Sequence, residues 1–207
     1  MSPARIGLFG GTFDPVHYGH LRPAIELAEH YALDVLYLLP SHQPVHRGPT
    51  GASSSQRIDM LQMAVADVER LEVDTREALR GGSTYTIDTL EAMREEFPNA
   101  TLLFFLGMDS FAGFDGWRRW QDILSIANLV VIDRPGALMS DFSTDLMEQQ
   151  KKRFGVERIE RIDVTQLEIS ATAIRQAAAA GHSLRFLLPE PVRQYIEEHQ
   201  LYRRMPS

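Results

Sequence analysis

A short apolar run that leads into two glycines and then into a helical pattern constrains this chain most strongly. Residues 6–9 are predicted to form a buried strand, and apolar residues recur between Leu21 and Ala28 at helical spacing. Gly10 and Gly11 are therefore predicted at a strand-to-helix turn, where glycine can take backbone angles closed to other residues and has no side chain that would hold a ligand away. This arrangement favours an α/β fold whose first turn receives an anion.

The same turn carries polar side chains that suit phosphate. Four N–H groups at the start of the following helix, with the positive end of its dipole, would attract an anion. His17 and His20 are three residues apart and are expected to share one face of the first helical turn. Such a pair also ligates metals, but the chain has no cysteine and its other histidines form no pattern that closes a site. The sequence thus predicts a phosphate site and no metal held by protein side chains.

A second helix start lies far along the chain. Ser170 precedes a helical segment with a run of alanines, so we expect Ser170 to cap that helix and Gly181 to end it. Thr172 and Arg175, three residues apart, would place a hydroxyl and a guanidinium on one face near the positive end of the helix. An ordinary capped surface helix with a solvated arginine has the same pattern. Together with the first motif, however, the segment indicates a second group of phosphate ligands.

Predicted strands alternate with predicted helices along the chain. This order predicts a Rossmann-like, doubly wound parallel sheet within a single domain of residues 1–207, with the ligand at the carboxyl ends of the strands. Residues 141–155 are charged and are predicted to form a helical excursion. After the first strand and helix, the predicted strands are residues 35–39, 71–76, 101–106 and 128–132, and the predicted helices are residues 54–68 and 86–97.

Composition narrows the class of protein and its partners. The chain has 207 residues, 44% of them hydrophobic, a net charge of −7 and no cysteine, which suits a globular domain without disulfides. The acidic balance argues against general nucleic-acid binding. No apolar run reaches the roughly 18 residues that span a membrane, and no signal peptide precedes the first strand, so we expect a cytoplasmic location and no membrane partner.

Both helix-start motifs are similar to signatures of one superfamily. Residues 11–20 resemble the Gly-[Ser/Thr]-Phe-Asp-Pro-x-His-x-Gly-His signature of the His-x-Gly-His nucleotidylyltransferases and match it at every position. Residues 169–175 resemble the Ile-Ser-[Ser/Thr]-Thr-x-Ile-Arg signature that clamps the triphosphate of ATP, with Ala171 replacing a hydroxyl residue. The resemblance implies Mg²⁺ on the triphosphate, and catalysis by His17, His20 and Arg175. The ATP-binding residues that it implies are Gly10, Gly11, Thr12, Phe13, His17, His20, Ser170, Thr172 and Arg175.

The middle of the chain resembles one branch of that superfamily, the nicotinate-nucleotide adenylyltransferases. Residues 83–90 are similar to its Ser-Tyr-Thr-x-Asp-Thr-Leu signature, where backbone amides at a helix start receive the nicotinate carboxylate. Residues 107–110, with Trp117 shortly after, resemble its Gly-x-Asp-Ser…Trp arrangement. Asp109 would then bond sugar hydroxyls and Trp117 would stack on the pyridine ring, although a helix cap and a packing role are alternatives for these two residues.

A long loop supplies the last point of likeness. Residues 40–52 contain three prolines and two glycines, and His46 and Arg47 in the middle would add positive charge over the phosphates. The loop resembles the Pro-Pro-His-[Lys/Arg] loop of the same branch, with Val45 where the second proline is usual. The residues that the resemblance implies for binding nicotinate mononucleotide are Arg47, Thr84, Tyr85, Thr86, Asp109 and Trp117.

Taken together, the resemblance covers residues 6–202 and implies a defined reaction. The branch transfers the adenylyl group of ATP to nicotinate mononucleotide and releases pyrophosphate, which is a step of NAD synthesis. Two alternatives remain from the residues alone. One is another nucleotidylyltransferase of the superfamily, such as a cytidylyltransferase or an adenylyltransferase acting on phosphopantetheine or nicotinamide mononucleotide. The other is a nucleotide-sensing module without turnover. The sequence leaves homo-oligomer formation open.

Overall fold

The structure is a computed structural model that describes residues 3–42, 50–82, 84–133, 146 and 158–203. Strands and helices alternate, as the apolar periodicity predicts. The strands are β1 (Arg5–Gly11), β2 (Val35–Pro40), β3 (Leu71–Val73), β4 (Thr101–Gly107), β5 (Asn128–Ile132) and β6 (Ile159–Ile162). The helices are α1 (Tyr18–His30), α2 (Ser54–Val65), α3 (Arg76–Arg80), α4 (Thr86–Glu96), α5 (Met108–Phe111), α6 (Trp120–Ile126), α7 (Ala171–Ala179) and α8 (Glu190–Glu198).

The six strands form one sheet in the order β3-β2-β1-β4-β5-β6. β1 pairs with β4, β4 with β5, and β5 with β6, all in parallel. The strand order reverses between β1 and β4, and ligands of open α/β sheets bind outside the carboxyl ends of the strands at such a reversal. The predicted Rossmann-like, doubly wound fold is confirmed.

The burial of the central strands explains why the hydrophobic pattern of the sequence predicts them. Five consecutive residues of β4, Leu102–Leu106, are at most 5% exposed, so this strand is covered on both faces. Its neighbours are buried at the same level, since Leu8 of β1 and Leu129 of β5 both lie opposite Phe104 and both are fully buried. A strand buried on both faces reads as an unbroken hydrophobic run.

The chain forms two compact units. The first unit comprises Met1–Gly10, Leu27–Tyr37 and Tyr85–Val164, and the second comprises Gly11–Glu26, Leu38–Thr84 and Thr165–Ser207. Both helix-start motifs therefore belong to the second unit, whereas Asp109 and Trp117 belong to the first. The single domain expected from the sequence stays a prediction.

Some predicted boundaries are wrong for local reasons. The strand expected to reach residue 76 ends at Val73, because the Asp74 carboxylate accepts hydrogen bonds from the backbone N–H of Arg76 at 2.8 Å and from its Nε at 2.7 Å, and α3 begins there. α2 ends at residue 65 rather than 68.

β6 was missed by sequence reasoning, since two of its four residues are charged and exposed. The helical excursion predicted over residues 141–155 lies outside the described residues, apart from residue 146. Among the helices that the structure describes, none combines the length and the apolar character that crossing a bilayer requires.

Candidate active site

The turn after β1 differs in detail from the sequence-based prediction. Gly10 and Gly11 are the last two residues of β1 rather than part of the turn, and neither has a positive φ, so the backbone freedom of glycine is not used at either position. The left-handed residue is Phe13, with φ 48°. The second argument for glycine holds at Gly10, because a Cβ there would meet no atom within 4 Å. The backbone of Gly10 thus borders open space that a ligand can enter.

A buried arginine fixes the backbone that follows. Arg57 of α2 is 0% exposed and donates hydrogen bonds to the main-chain oxygens of Thr12 at 2.6 Å, Ser41 at 2.7 Å and His42 at 3.0 Å. Burial lowers the pKa of Arg57, and the nearby Asp14 carboxylate opposes that shift. Sequence reasoning missed Arg57. The available signal was its spacing, since it lies four residues before Leu61 on the buried face of α2.

The two imidazoles of the first motif lie face to face. The ring centroids of His17 and His20 are 3.8 Å apart at an interplanar angle of 28°, and the ring of Phe13 meets His20 edge-on at 5.1 Å. His17 is only 4% exposed, and burial lowers its pKa to about 4, so its ring is neutral near pH 7. Its Nδ1 is buried without a hydrogen-bond partner among the described residues. The pair forms an imidazole stack at the start of α1.

More backbone N–H groups at the start of α1 have hydrogen-bond partners than the sequence predicts. The N–H of Tyr18 donates to the carbonyl oxygen of Leu187 at 3.2 Å. The carbonyl oxygen of His17 accepts hydrogen bonds from the N–H of His20 at 2.8 Å and from the N–H of Leu21 at 3.2 Å. The expectation of four unpaired N–H groups is therefore wrong. An anion would instead meet the imidazoles and the positive end of the helix dipole there.

The second motif has the local structure that its sequence predicts. The Ser170 side chain caps α7 by accepting a hydrogen bond from the N–H of Ala173 at 3.1 Å, and Gly181, with φ +71°, lies just past the helix. Thr172 and Arg175 share one face, since Arg175 Nη2 donates to Thr172 Oγ1 at 3.3 Å. Ser170 and Thr172 are both exposed, so their hydroxyls are accessible to a ligand.

The two motifs, about 150 residues apart in sequence, meet within the second unit. Arg175 Nη1 donates to the main-chain oxygen of Asp14 at 2.6 Å. A Cβ on Gly19 would lie 3.0 Å from the carbonyl oxygen of Ile169 and 2.9 Å from Nδ1 of His17, so only glycine permits this close approach. The starts of α1 and α7 thus lie against each other, and one polyanion could contact the residues of both.

The predicted mononucleotide residues occupy a helix start in the first unit and its neighbourhood. Tyr85 is the N-cap residue of α4 and Thr86 is its first residue, while Thr84, half-buried, is the last residue of the preceding second-unit segment. Asp109 is exposed and lies second in α5, where Gly107 holds the N-cap position, so the alternative of a capping role does not apply to it. Arg47 lies outside the described residues.

Aromatic side chains surround Trp117. Its ring lies 5.5 Å from that of Phe114 and 6.2 Å, edge-on, from that of Phe104, and the side chain stays partly exposed. The next residue, Arg118, was missed by sequence reasoning. Its guanidinium carbon lies 4.7 Å above the ring centroid of Tyr85, so a cation lies beside the N-cap of α4. The adjacency of Arg118 to Trp117 in the sequence was the available signal.

Comparison with known proteins shows the family of this chain. The Cytidylyltransferase-like family model matches residues 8–177, a stretch that includes both helix-start motifs. A protein of Cellvibrio japonicus named probable nicotinate-nucleotide adenylyltransferase is 47% identical over 96% of this chain and 98% of its own length. This chain belongs to the nicotinate-nucleotide adenylyltransferase family. A relative of the same name from Hydrogenovibrio crunogenus is 40% identical over 95% of this chain and 97% of its own length.

Solved structures agree on the fold of this adenylyltransferase family member. Plasmodium falciparum nicotinic acid mononucleotide adenylyltransferase, complexed with APC, superposes with a TM-score of 0.74 at 18% identity, covering 96% of this chain and 97% of that one. The same Plasmodium enzyme complexed with NaAD gives the same score. At this level of identity the likeness concerns the fold alone.

Proposed function

We propose that this chain transfers the adenylyl group of ATP to nicotinate mononucleotide, giving deamido-NAD and pyrophosphate in NAD synthesis. The observation that carries the proposal is the meeting of the two helix starts, where Arg175 is bonded to Asp14 three residues before His17. Full-length relatives named for this reaction support it. A cytoplasmic location stays a prediction of the sequence.

The reaction needs positioning and charge neutralisation more than a base. A phosphate oxygen of the mononucleotide forms a bond to the α-phosphorus of ATP, the bond from that phosphorus to the bridging oxygen breaks, and pyrophosphate leaves with the electron pair. The attacking oxygen is already anionic, so no side chain has to remove a proton. The protein therefore contributes by aligning two polyanions and stabilising the negative charge on the transferring and leaving groups.

The two helix starts and the end of β1 supply groups suited to that charge. We assign His17 and His20 to the α- and β-phosphates, with the Gly10–Thr12 backbone and the Phe13 turn bordering the same region. Ser170, Thr172 and Arg175 are assigned to the β- and γ-phosphates. His17 is buried and neutral near pH 7, so its ring can donate one N–H to a phosphate oxygen, whereas Arg175 offers a guanidinium with several N–H donors.

Mg²⁺ is expected to arrive with ATP as part of the substrate. Within the described ranges, no three histidine or acidic side chains gather into a cluster that could enclose an ion. Phosphate oxygens and water are the ligands that Mg²⁺ prefers in nucleotide sites, and the triphosphate offers them. The residues present therefore fit a cation bound chiefly by its nucleotide.

Nicotinate mononucleotide is assigned to the residues around the start of α4 and to α5. Trp117 would stack on the pyridine ring, Asp109 would bond the ribose hydroxyls, and the backbone of Thr84–Thr86 would receive the carboxylate. Arg47 is also assigned to nicotinate mononucleotide, and this assignment rests on the sequence alone.

Replacing Trp117 with alanine is expected to raise the KM for nicotinate mononucleotide by about tenfold, because stacking of a base on an aromatic ring contributes about 1–3 kcal/mol. The KM for ATP should stay near the wild-type value. Steady-state kinetics with each substrate varied in turn checks this. A rise confined to the KM for ATP would place Trp117 in the other subsite.

Arg118 is expected to favour the acid over the amide. Its cation lies beside the helix start proposed for the carboxylate, and a hydrogen bond to a charged group is worth about 1.5–3 kcal/mol. Arg118→Gln should lower kcat/KM for nicotinate mononucleotide about tenfold and leave that for nicotinamide mononucleotide nearly unchanged. Arg119→Gln is the matched control, since Arg119 is already paired with Glu91 and Asp122. An equal loss with both mononucleotides would argue against this role.

The proposal is tested by measuring pyrophosphate release with ATP and one acceptor at a time. The acceptors are nicotinate mononucleotide, nicotinamide mononucleotide and phosphopantetheine. Release is expected to be fastest with nicotinate mononucleotide and to equal the deamido-NAD formed. ATP binding without pyrophosphate from any acceptor would instead indicate a nucleotide-sensing module, and preference for another acceptor would indicate a different adenylyltransferase.

A further inference from the structure

The buried carboxylate of Asp14 joins three separate segments of the second unit. Its Oδ2 accepts a hydrogen bond from the N–H of Gly51 at 2.8 Å, and its Oδ1 accepts one from the N–H of Ala52 at 3.1 Å. The hydroxyl of Tyr202, near the end of the chain, donates to Oδ1 at 2.8 Å. Asp14 is only 4% exposed, and these donors stabilise its charge together with the nearby buried cation of Arg57.

Arg175 depends on the same aspartate. Its Nη1 donates to the main-chain oxygen of Asp14 at 2.6 Å but stays 3.7 Å from the carboxylate Oδ2, a loose ion pair. The Arg175 side chain is 33% exposed, so part of the guanidinium can still face a ligand. Three hydrogen bonds already stabilise the Asp14 carboxylate, so a close ion pair with Arg175 would add little further stabilisation. The looseness of this ion pair follows from the other bonds to Asp14.

Tyr202 is held tightly in its place. A Cβ on Gly51 would lie 2.8 Å from two atoms of the Tyr202 ring and 3.2 Å from Cδ of Arg175, so the three groups are in close contact. The backbone of Tyr202 is left-handed, with φ 62°, at the turn that follows α8. Burial and the negative charge of Asp14 raise the pKa of Tyr202, so its hydroxyl keeps its proton and remains a donor.

We propose that Tyr202 is a positioning residue, which satisfies the Asp14 carboxylate and thereby leaves the Arg175 guanidinium available to the triphosphate. Without the hydroxyl, Oδ1 loses a donor in a buried position, and the carboxylate attracts the guanidinium from 3.7 Å into a close ion pair. Arg175 then turns away from the nucleotide. This inference rests on the proposed function only in naming ATP as the ligand.

The test compares Tyr202→Phe with Tyr195→Phe. Tyr195 donates its hydroxyl to Asp59 Oδ2 at 2.9 Å in the same unit, so the control variant loses the same kind of bond outside the proposed site. Both variants should lower the Tm by a similar amount. Only Tyr202→Phe should weaken binding of ATP, by about tenfold in Kd and in KM, with the KM for nicotinate mononucleotide unchanged.

A double-mutant cycle separates a specific role from a general loss of structure. In an Arg175→Ala background, Tyr202→Phe should leave the remaining ATP affinity unchanged, because the group through which it acts is absent. The inference would be overturned if Tyr202→Phe lowered the ATP affinity equally with and without Arg175, or if Tyr195→Phe lowered it as much as Tyr202→Phe does. ATP binding is measured by calorimetry without a second substrate, so failure of the acceptor assay leaves this test intact.

Discussion

Replacing His20 with alanine is expected to lower kcat for adenylyl transfer by about 10²–10³, with little change in the KM for ATP. His20 is stacked on His17 and flanked by Phe13, so its ring is fixed before substrate binds. A fixed donor that meets charge developing in the transition state contributes chiefly to kcat. Steady-state kinetics at saturating ATP measures the effect.

The control for His20 lies on the same helix. His30 ends α1 and is exposed, and His30→Ala should leave turnover near that of the wild type. Unchanged kcat in the His20→Ala variant would remove His20 from the mechanism. A loss of kcat accompanied by an equal fall in Tm for both variants would point to a structural cause instead.

Replacing Arg57 with methionine is expected to lower the free energy of unfolding by about 3–5 kcal/mol. Methionine fills much of the same space but donates no hydrogen bond, so the carbonyl oxygens of Thr12, Ser41 and His42 lose their donor inside the protein. The backbone before the imidazole stack would loosen, and kcat/KM for ATP should fall as well. Urea denaturation followed by circular dichroism gives the change in unfolding free energy.

Arg22→Met is the matched comparison for Arg57. Arg22 is an exposed arginine of α1 that pairs with Glu26 four residues along the helix. Surface pairs of this kind contribute about 0.3–0.5 kcal/mol, so Arg22→Met should change the unfolding free energy by less than about 1 kcal/mol. Similar losses in the two variants would mean that the bonds of Arg57 contribute no more than a surface ion pair does.

Local sequence signals predicted the parts of the site that local chemistry determines. Ser170 and Gly181 bound α7 because capping and left-handed ends depend on a few neighbouring residues. The pairing of Thr172 with Arg175 and the stacking of His17 on His20 follow from a spacing of three residues on a helix. The central strands were also predicted, because a strand that a parallel sheet buries on both faces has an unbroken hydrophobic sequence.

Contacts between distant segments could not be predicted from local sequence signals. The N–H of Tyr18 is satisfied by the carbonyl of Leu187, and no pattern near residue 18 indicates that partner. Likewise, Asp14 belongs to the predicted motif, but its donors come from residue 51, residue 52 and Tyr202. The spacing of Arg57 places it on the buried face of α2, but its partners, three carbonyl oxygens from other segments, are supplied by the fold. These are tertiary effects, which local propensity does not encode.

The most direct measurement of the central claim is a crystal structure of this chain with an ATP analogue whose α- and β-phosphorus atoms are joined by a methylene group. The phosphate oxygens are predicted to lie within hydrogen-bonding distance of both His20, in the first turn of α1, and Arg175, in α7. A nucleotide whose phosphates contact neither His20 nor Arg175 would contradict the claim that the two helix starts bind one triphosphate.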